Sequence, residues 1–348
     1  QGCGVGEDPL MAFNEAQASL RMDRSRARCS LPLAAPVAER SRRTGKPAIK
    51  RNTEEGSLDA DVIRKRQFNG EKHSSLVQRF SPEDSKLEWK DWPRDLTPGA
   101  EGAFPFLGDD RTVALIYADG NGLGQLLMKA REAVASKPDD FIKIFRTLSE
   151  GIEKATQAAA RLATANVLIP ARSDDKPLAA RPIVLGGDDL AILVRADLAL
   201  SFTSTFLNAF EEASVTVMTR LRELGVSNLP ERLTAGAGLL YMQASQPFYL
   251  AVQLSESIME KAKISAKAIN RDSPPSTLLF HRATTAMIDD YDTIVKREKS
   301  VKENGETYVH TLGAYALKAS QTLPVLKDLL KMQDLFQEED MARGPARQ

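Results

Sequence analysis

The sequence is poor in cysteine, has no long apolar run and carries no excess of either charge. Two cysteines in 348 residues exclude a disulfide-stabilised scaffold. No segment approaches the roughly 20 consecutive apolar residues of a transmembrane helix, and no basic-then-apolar leader opens the chain. Lysine plus arginine and aspartate plus glutamate number 47 each, which argues against a uniformly basic or an acidic-tail protein. We therefore expect a cytoplasmic protein without a membrane partner.

The balanced total charge hides a basic segment near the N-terminus. Residues 21–72 carry 14 lysines and arginines against seven acidic residues. Large apolar residues are scarce there, and no period of 2 or 3.6 is sustained. We interpret this segment as a solvated, loosely structured arm, with contact to RNA or another polyanion as the alternative.

Regular apolar patterns begin near residue 105. A β-branched run at 112–118 predicts a buried strand, and runs at 182–185 and 190–194 predict a hairpin. Apolar residues at steps of three and four predict helices elsewhere. The remaining predicted elements are helices at 122–134, 139–163, 202–224, from Pro247 onward and at 313–335, and strands at 233–241 and 276–280.

The order of these elements is β-α-β-β-α-β, followed by a further helix and strand. This order predicts an α+β, ferredoxin-like fold with extra helices and a loosely structured N-terminal arm. We expect the folded domain at residues 105–285. Loop-forming residues at 46–104 predict a linker or insert, and residues 286–348 a helical C-terminal tail.

Acidic residues stand at two strand ends that this fold would bring together. Asp119 follows the first strand, and Asp188 and Asp189 occupy the tip of the predicted hairpin. Because the first and third strands are neighbours in a split βαβ fold, the three carboxylates should converge, and they repel one another unless a cation compensates. Hard oxygen ligands suit Mg²⁺ or Mn²⁺, and two such ions can polarise an attacking hydroxyl and neutralise a leaving pyrophosphate.

Glycines accompany the carboxylates at both strand ends. Gly120, Asn121 and Gly122 form a loop before a helix, where backbone N–H groups and the helix dipole favour phosphate oxygens. Gly186 and Gly187 permit a turn with positive φ and leave room beside the carboxylates. Each motif alone is ordinary turn chemistry, but the two together predict a metal–nucleotide site.

The segment IYADGNGLG at residues 116–124 and the GGDD motif at residues 186–189 together resemble the second palm domain of the large subunit of type III CRISPR effector complexes. That domain is related to GGDEF nucleotide cyclases and to polymerase palms. The resemblance covers about residues 105–285. It includes LTAGAG at 233–238, Pro247-Phe248, EKAK at 260–263 and LFH at 279–281.

The resemblance implies a palm or nucleotide-cyclase domain that converts ATP into a cyclic or linear oligoadenylate signal in antiviral defence. Asp119 and Asp188 would be metal ligands, with Asp189 adjacent, and Lys263 would contact the triphosphate. Ser149 is a further candidate for nucleotide contact. Guide or target RNA and other effector subunits are the partners that the resemblance implies.

Two departures from related families narrow this interpretation. Asp189-Leu190 stands where diguanylate cyclases carry Glu-Phe, which favours the CRISPR-type branch. None of the three histidines precedes an aspartate, so we expect no HD nuclease in this chain, and a first palm would lie upstream of Gln1. A GTP-using GGDEF-like cyclase and a non-catalytic scaffold that binds nucleotide or RNA remain alternatives.

The two cysteines resemble the remains of a zinc module that this family carries between its palms. Residues 1–45 would be that remnant, with Cys3 ending one Cys-x-x-Cys pair and Cys29 beginning another. Two cysteines cannot complete a tetrahedral zinc site without other ligands. We therefore expect two free thiols and no zinc.

Overall fold

The computed structural model describes residues 9–25, 39–41, 44–52, 56–67, 75–136, 138–173, 175–284, 290–318 and 320–337. The chain divides into two compact units, Gln1–Ser74 and Ser75–Gln348. Among the described residues, no helix combines the length and apolar character needed to cross a membrane. Cys3, Cys29 and much of the basic segment lie outside the described residues.

The first unit contains regular structure within its described part. It comprises helix α1 (Pro9–Ser25), the antiparallel strands β1 (Ala48–Asn52) and β2 (Gly56–Asp59), and helix α2 (Ala60–Gln67). Asp59 is buried and caps α2, because its Oδ1 accepts the backbone N–H groups of Asp61 and Val62 at 2.9 and 3.2 Å. The predicted linker at residues 46–104 therefore includes a hairpin and a capped helix.

The second unit is built on a six-stranded sheet. The strands, in chain order, are β3 (Thr112–Gly120), β4 (Ala180–Gly186), β5 (Asp189–Arg195), β6 (Ala235–Gln243), β7 (Thr277–Arg282), a separate hairpin of β8 (Ser300–Glu303) and β9 (Glu306–Val309), and β10 (Tyr315–Ala316). The helices are α3 (Ser75–Phe80), α4 (Leu123–Ser136), α5 (Phe141–Ala163), α6 (Ala199–Glu223), α7 (Phe248–Ile269), α8 (Tyr291–Glu298) and α9 (Leu326–Gln337).

The sheet has the strand order β10-β7-β6-β3-β5-β4. Its central part, β6-β3-β5-β4, is antiparallel throughout, and β7 adds to β6 in parallel. This is the predicted ferredoxin-like order, with β3 between the strand that ends the hairpin and the small-residue strand. The architecture is thus the α+β fold that the element order predicts.

Helices cover both faces of this sheet. Val113 and Leu115 of β3 pack with the apolar stripe of α7, which includes Leu254 and Ile258. The alternate residues Ala114, Ile116 and Ala118 are also buried, and they point to the opposite face, where α5 and α6 contact the sheet. Burial on both faces explains why β3 reads as a continuous apolar run.

The C-terminal segment differs from its prediction. The helix predicted at 313–335 begins only at Leu326, and the short strand β10 pairs with β7 before it. Pro324 lies inside the predicted helix, where a proline would remove a hydrogen bond and clash with the preceding turn. The tail also contains the β8–β9 hairpin, whose turn residues Asn304 and Gly305 both have positive φ, as a type I′ turn requires.

Candidate metal and nucleotide site

The sheet register brings the three predicted carboxylates together. Asp119 is the penultimate residue of β3, Asp188 lies in the turn between β4 and β5, and Asp189 begins β5. Because β3 pairs directly with β5, both strand ends reach the same edge. One carboxylate oxygen from each aspartate lies within 4.8 Å of the others. The convergence expected from topology is therefore present, with Asp119 and Asp188 half-buried and Asp189 exposed.

The hairpin turn determines how Asp188 is presented. Gly186 pairs with Asp189 across the hairpin, so that Gly187 and Asp188 form a two-residue turn. Gly187 has a φ of +61°, whereas Asp188 has no positive φ. A positive φ at the first central position alone is the pattern of a type II′ turn, which favours glycine there. Gly187 thus meets the predicted requirement, while Gly186 needs no positive φ.

Gly120 allows the two strand ends to approach closely. Its backbone N–H donates a hydrogen bond of 3.1 Å to Asp188 Oδ2. A Cβ atom at this position would lie 3.0 Å from that same oxygen and 3.2 Å from the Asp188 Cβ. A side chain at position 120 would therefore press against Asp188, and the carboxylate would have to shift by a few tenths of an ångström.

Lys263 provides the one cation that directly contacts the carboxylates in the described part of the chain. It lies on α7 and is 8% exposed. Its Nζ donates to Asp119 Oδ2 and to the carbonyl oxygen of Gly120, the latter at 3.0 Å. Lys263, the lysine predicted to contact a triphosphate, therefore lies at the acidic cluster, where it neutralises part of the cluster's negative charge.

The negative charge that Lys263 leaves uncompensated, together with burial, shifts the pKa values of the three aspartates. Burial, reinforced by the hydrogen bond with Asp119 and its negative charge, raises the pKa of Asp188 to about 7. Burial and the charge of Asp119 also raise the pKa of Asp189. Burial opposes ionisation of Asp119 as well, but its hydrogen bonds with Asp188 and Lys263 outweigh this effect and lower its pKa. A crowded set of oxygen donors that retains a proton near neutral pH fits a hard divalent cation, which can replace that proton.

The loop after β3 is fixed to the start of β6. Asn121 is 4% exposed, and its backbone N–H donates to the Thr234 carbonyl oxygen at 2.8 Å. Its side-chain amide donates to Thr234 Oγ1 at 3.1 Å, while its buried Oδ1 has no protein partner. Gly122 has a φ of +75° immediately before α4. The loop therefore presents backbone groups at the N-terminus of α4, and the Asn121 side chain links this loop to Thr234 at the start of β6.

A cavity of about 630 Å³ lies beside the acidic cluster. Sequence reasoning missed most of its lining, although the spacing contained a signal. Tyr117 lies two residues before Asp119 and therefore on the same face of β3, and Glu256 lies seven residues before Lys263 on α7. Burial and the charges of Glu256 and Asp189 raise the pKa of Tyr117. The lining residues are Tyr117, Asp119, Val184, Asp189, Leu190, Ala191, Gln253, Glu256, Ser257, Met259 and Glu260.

Ser149 is not brought to this site. It is exposed on α5 and does not line the cavity beside the carboxylates. A larger groove of about 1020 Å³ runs between α5 and α6, but none of the predicted site residues lines it. The acidic cluster and its cavity are therefore the better candidate for chemistry, despite the smaller volume.

A family model matches the segment of the chain that contains this cluster. Residues 112–273 match the family model described as Cas10/Cmr2, second palm domain. No curated protein matches the chain. The family match begins at the first residue of β3 and ends after α7, so it includes all three aspartates and Lys263.

Several solved structures are similar to part of this chain, at low identity and low TM-score. A Csm1–Csm4 cassette in complex with cA4 is 14% identical, with a TM-score of 0.33, and one in complex with one ATP is 15% identical, with a TM-score of 0.32. Csm1 of T. onnurineus is 16% identical, with a TM-score of 0.31. Each alignment covers 50% of this chain and 26% of the other, so this chain spans about a quarter of their length. The likeness to a known family is therefore that of the matched segment: residues 112–273, just under half of the chain, are similar to the second palm domain of the Cas10/Cmr2 family.

Proposed function

We propose that this protein is a metal-dependent nucleotidyltransferase, an oligonucleotide cyclase that converts ATP into cyclic or linear oligoadenylate in CRISPR-type antiviral defence. The observation that carries the proposal is the cluster of Asp119, Asp188 and Asp189, with carboxylate oxygens within 4.8 Å of one another. The match to the Cas10/Cmr2 second palm domain supports it.

The three aspartates would hold Mg²⁺ or Mn²⁺, two ions in the complete site. When bound, the ions polarise the attacking hydroxyl and neutralise the leaving pyrophosphate. In the reaction, the ribose 3′-oxygen of one ATP bonds to the α-phosphorus of another, the bond to the pyrophosphate oxygen breaks, and the hydroxyl proton is released to solvent. Each turnover thus forms one phosphodiester and one pyrophosphate.

The protein groups act mainly by position and charge. Lys263 donates hydrogen bonds at the edge of the cluster and would contact the triphosphate. The backbone at Gly120 and Gly122, before α4, would face phosphate oxygens. The cavity of about 630 Å³ beside Asp119 and Asp189 offers Tyr117 as an aromatic surface for a nucleoside. Such positioning and electrostatic stabilisation account for most catalysis in phosphoryl transfer.

Other effector subunits and guide or target RNA are part of the proposal. The neighbouring Csm1 structures include Csm4 as a second subunit. The basic segment at residues 21–72 would contribute a phosphate-binding surface whose affinity falls as salt rises.

The decisive experiment is incubation with α-labelled ATP and Mn²⁺ or Mg²⁺, alone and with the other effector subunits and target RNA. We expect pyrophosphate release and labelled oligoadenylates, and we expect the double variant Asp188→Asn/Asp189→Asn to lose both while remaining folded. Activity that survives in this variant would refute the assignment of the site.

The same assay separates the alternatives. Competition among the four nucleoside triphosphates would identify a GTP-using cyclase by its labelled product. A non-catalytic scaffold would instead show stabilisation by metal and ATP without turnover under every activating condition, and this result would overturn the proposal of an enzyme.

A further inference from the structure

We propose that Gly236 is a positioning residue that holds Lys263 against Asp119, because the missing side chain at position 236 forms the channel that the lysine stem occupies. The role of Gly236 in catalysis rests on the proposed function, in which Lys263 contacts the triphosphate. Its structural basis is independent of any reaction.

The sheet register places Gly236 directly beside the acidic cluster. Gly236 of β6 is the antiparallel partner of Asp119 on β3, and Gly238 is the partner of Tyr117. Opposed residues in a sheet present their side chains on the same face. Any side chain at position 236 would therefore stand next to the Asp119 carboxylate, on the face covered by α7.

Helix α7 lies directly on these two glycines. A Cβ atom at Gly238 would be 2.5 Å from the backbone nitrogen of Met259 and 2.6 Å from the carbonyl oxygen of Ser255. A Cβ atom at Gly236 would be 2.4 Å from Cγ of Lys263, while its distance to the Lys263 backbone nitrogen would be an ordinary 3.5 Å. Gly238 thus contacts the helix backbone, and Gly236 contacts the lysine side chain.

The spacing of helix and strand explains this division. Two residues along a strand advance about 6.6 Å, and four residues along a helix, from Met259 to Lys263, advance about 6.0 Å. When Met259 lies over Gly238, Lys263 therefore lies over Gly236. Its stem then crosses the strand where no side chain exists, and its Nζ reaches Asp119 and the carbonyl oxygen of Gly120.

A double-mutant cycle tests whether Gly236 acts through the lysine. The variants are Gly236→Ala, Lys263→Ala and the two combined, with Mn²⁺ affinity and then Mn²⁺–ATP affinity as readouts. Lys263→Ala deletes the Cγ atom that an alanine at position 236 would meet. In the wild-type background, we expect Gly236→Ala to tighten Mn²⁺ binding at least threefold, because the competing cation is displaced, and to weaken ATP binding about tenfold through loss of a charged hydrogen bond.

In the Lys263→Ala background, Gly236→Ala should change neither affinity by more than twofold. Equal effects in both backgrounds, or no effect in the wild-type background, would overturn the proposal. If Gly236→Ala alone does not fold, recovery of folding in the double variant supports the proposal, and failure to recover refutes it. Gly238→Ala is the matched control, because its contact is with helix backbone and Lys263→Ala should not rescue it.

Mn²⁺ binding by itself requires no turnover. If no nucleotide product is ever found, the cycle measured with Mn²⁺ still decides the role of Gly236, while the proposed function fails separately.

Discussion

Asp188→Asn should stabilise the metal-free protein and abolish its stabilisation by Mn²⁺. The asparagine side chain would retain the shape of the aspartate, could accept the Gly120 N–H, and could donate its amide to Asp119. The substitution therefore removes a charge from the crowded cluster without leaving a polar group unsatisfied. The change in charge should favour the metal-free fold, while the loss of one of the three proposed carboxylate ligands should prevent metal binding.

The magnitude follows from the perturbed carboxyl. The pKa of Asp188 rises from 3.8 to about 7, so the folded protein binds its proton more tightly than the unfolded chain. Stability is therefore lost as pH rises from about 4 to about 7 and is flat above that window. The full shift corresponds to about 4 kcal/mol. Because the site is partly open to solvent, we expect Asp188→Asn to stabilise by about 2 kcal/mol at pH 8, or about 4–8 °C in Tm.

The assay is thermal unfolding at pH 8, followed by the fluorescence of Trp89 and Trp92, both of which belong to the second unit. The unsubstituted protein should gain about 2.7 kcal/mol at a Mn²⁺ concentration of 100 times Kd, and Asp188→Asn should gain nothing. Asp109→Asn, at an exposed position, should behave like the unsubstituted protein. A lower Tm for metal-free Asp188→Asn, or an undiminished Mn²⁺ shift, would refute the reasoning.

Three further outcomes are expected. Burial lowers the pKa of His281 to about 4, so the folded protein resists protonation of this histidine and its stability falls as pH drops from about 6.5 to 4. In urea unfolding, His281→Gln should remove about 1–2 kcal/mol of the stability that is lost between pH 7.5 and 5. If the variant loses as much stability as the unsubstituted protein, His281 is not the cause of the loss. Gly120→Ala should displace Asp188 and lower the free energy of unfolding by about 1–3 kcal/mol. Calorimetry should show Mn²⁺ binding weakened at least tenfold. An unchanged affinity for Mn²⁺ would contradict the close approach of Gly120 and Asp188. Lys318→Met should lower the free energy of unfolding by about 2–3 kcal/mol, because buried Glu211 loses its ion-pair partner. In denaturant titrations, the double variant Lys318→Met/Glu211→Gln should recover most of that free energy. An additive loss in the double variant would argue against the ion pair.

Local sequence patterns predicted the elements that carry the site. Apolar residues at steps of three and four anticipated α5 and α6 to within a few residues, because one face of each helix is buried against its neighbours. The pattern was wrong for residues 313–325, where a short buried run beside β7 forms an edge strand. Short apolar runs do not distinguish helix from strand without their tertiary neighbours.

The sequence by itself determined the chemistry available at the site. Carboxylates placed just after one strand and at a Gly-Gly hairpin tip meet whenever the strands adopt the β6-β3-β5-β4 order, so the convergence of Asp119 and Asp188 follows from connectivity. The requirement for glycine at position 187 likewise follows from the two-residue turn.

Only the tertiary structure decided how these groups are supported. The contact of Lys263 with Asp119 depends on the register between α7 and β6, which arises from the packing of a helix on two glycines. The resemblance offered Lys263 as a triphosphate contact, but hydrophobic periodicity does not predict its contact with Asp119. The burial of Asn121 and its hydrogen bond to Thr234 depend on residues far apart in the chain, and so does the presence of Glu256 and Tyr117 in the same cavity. Local patterns report which side of an element is buried, whereas the distances that tune charge and position are set by how the elements pack together.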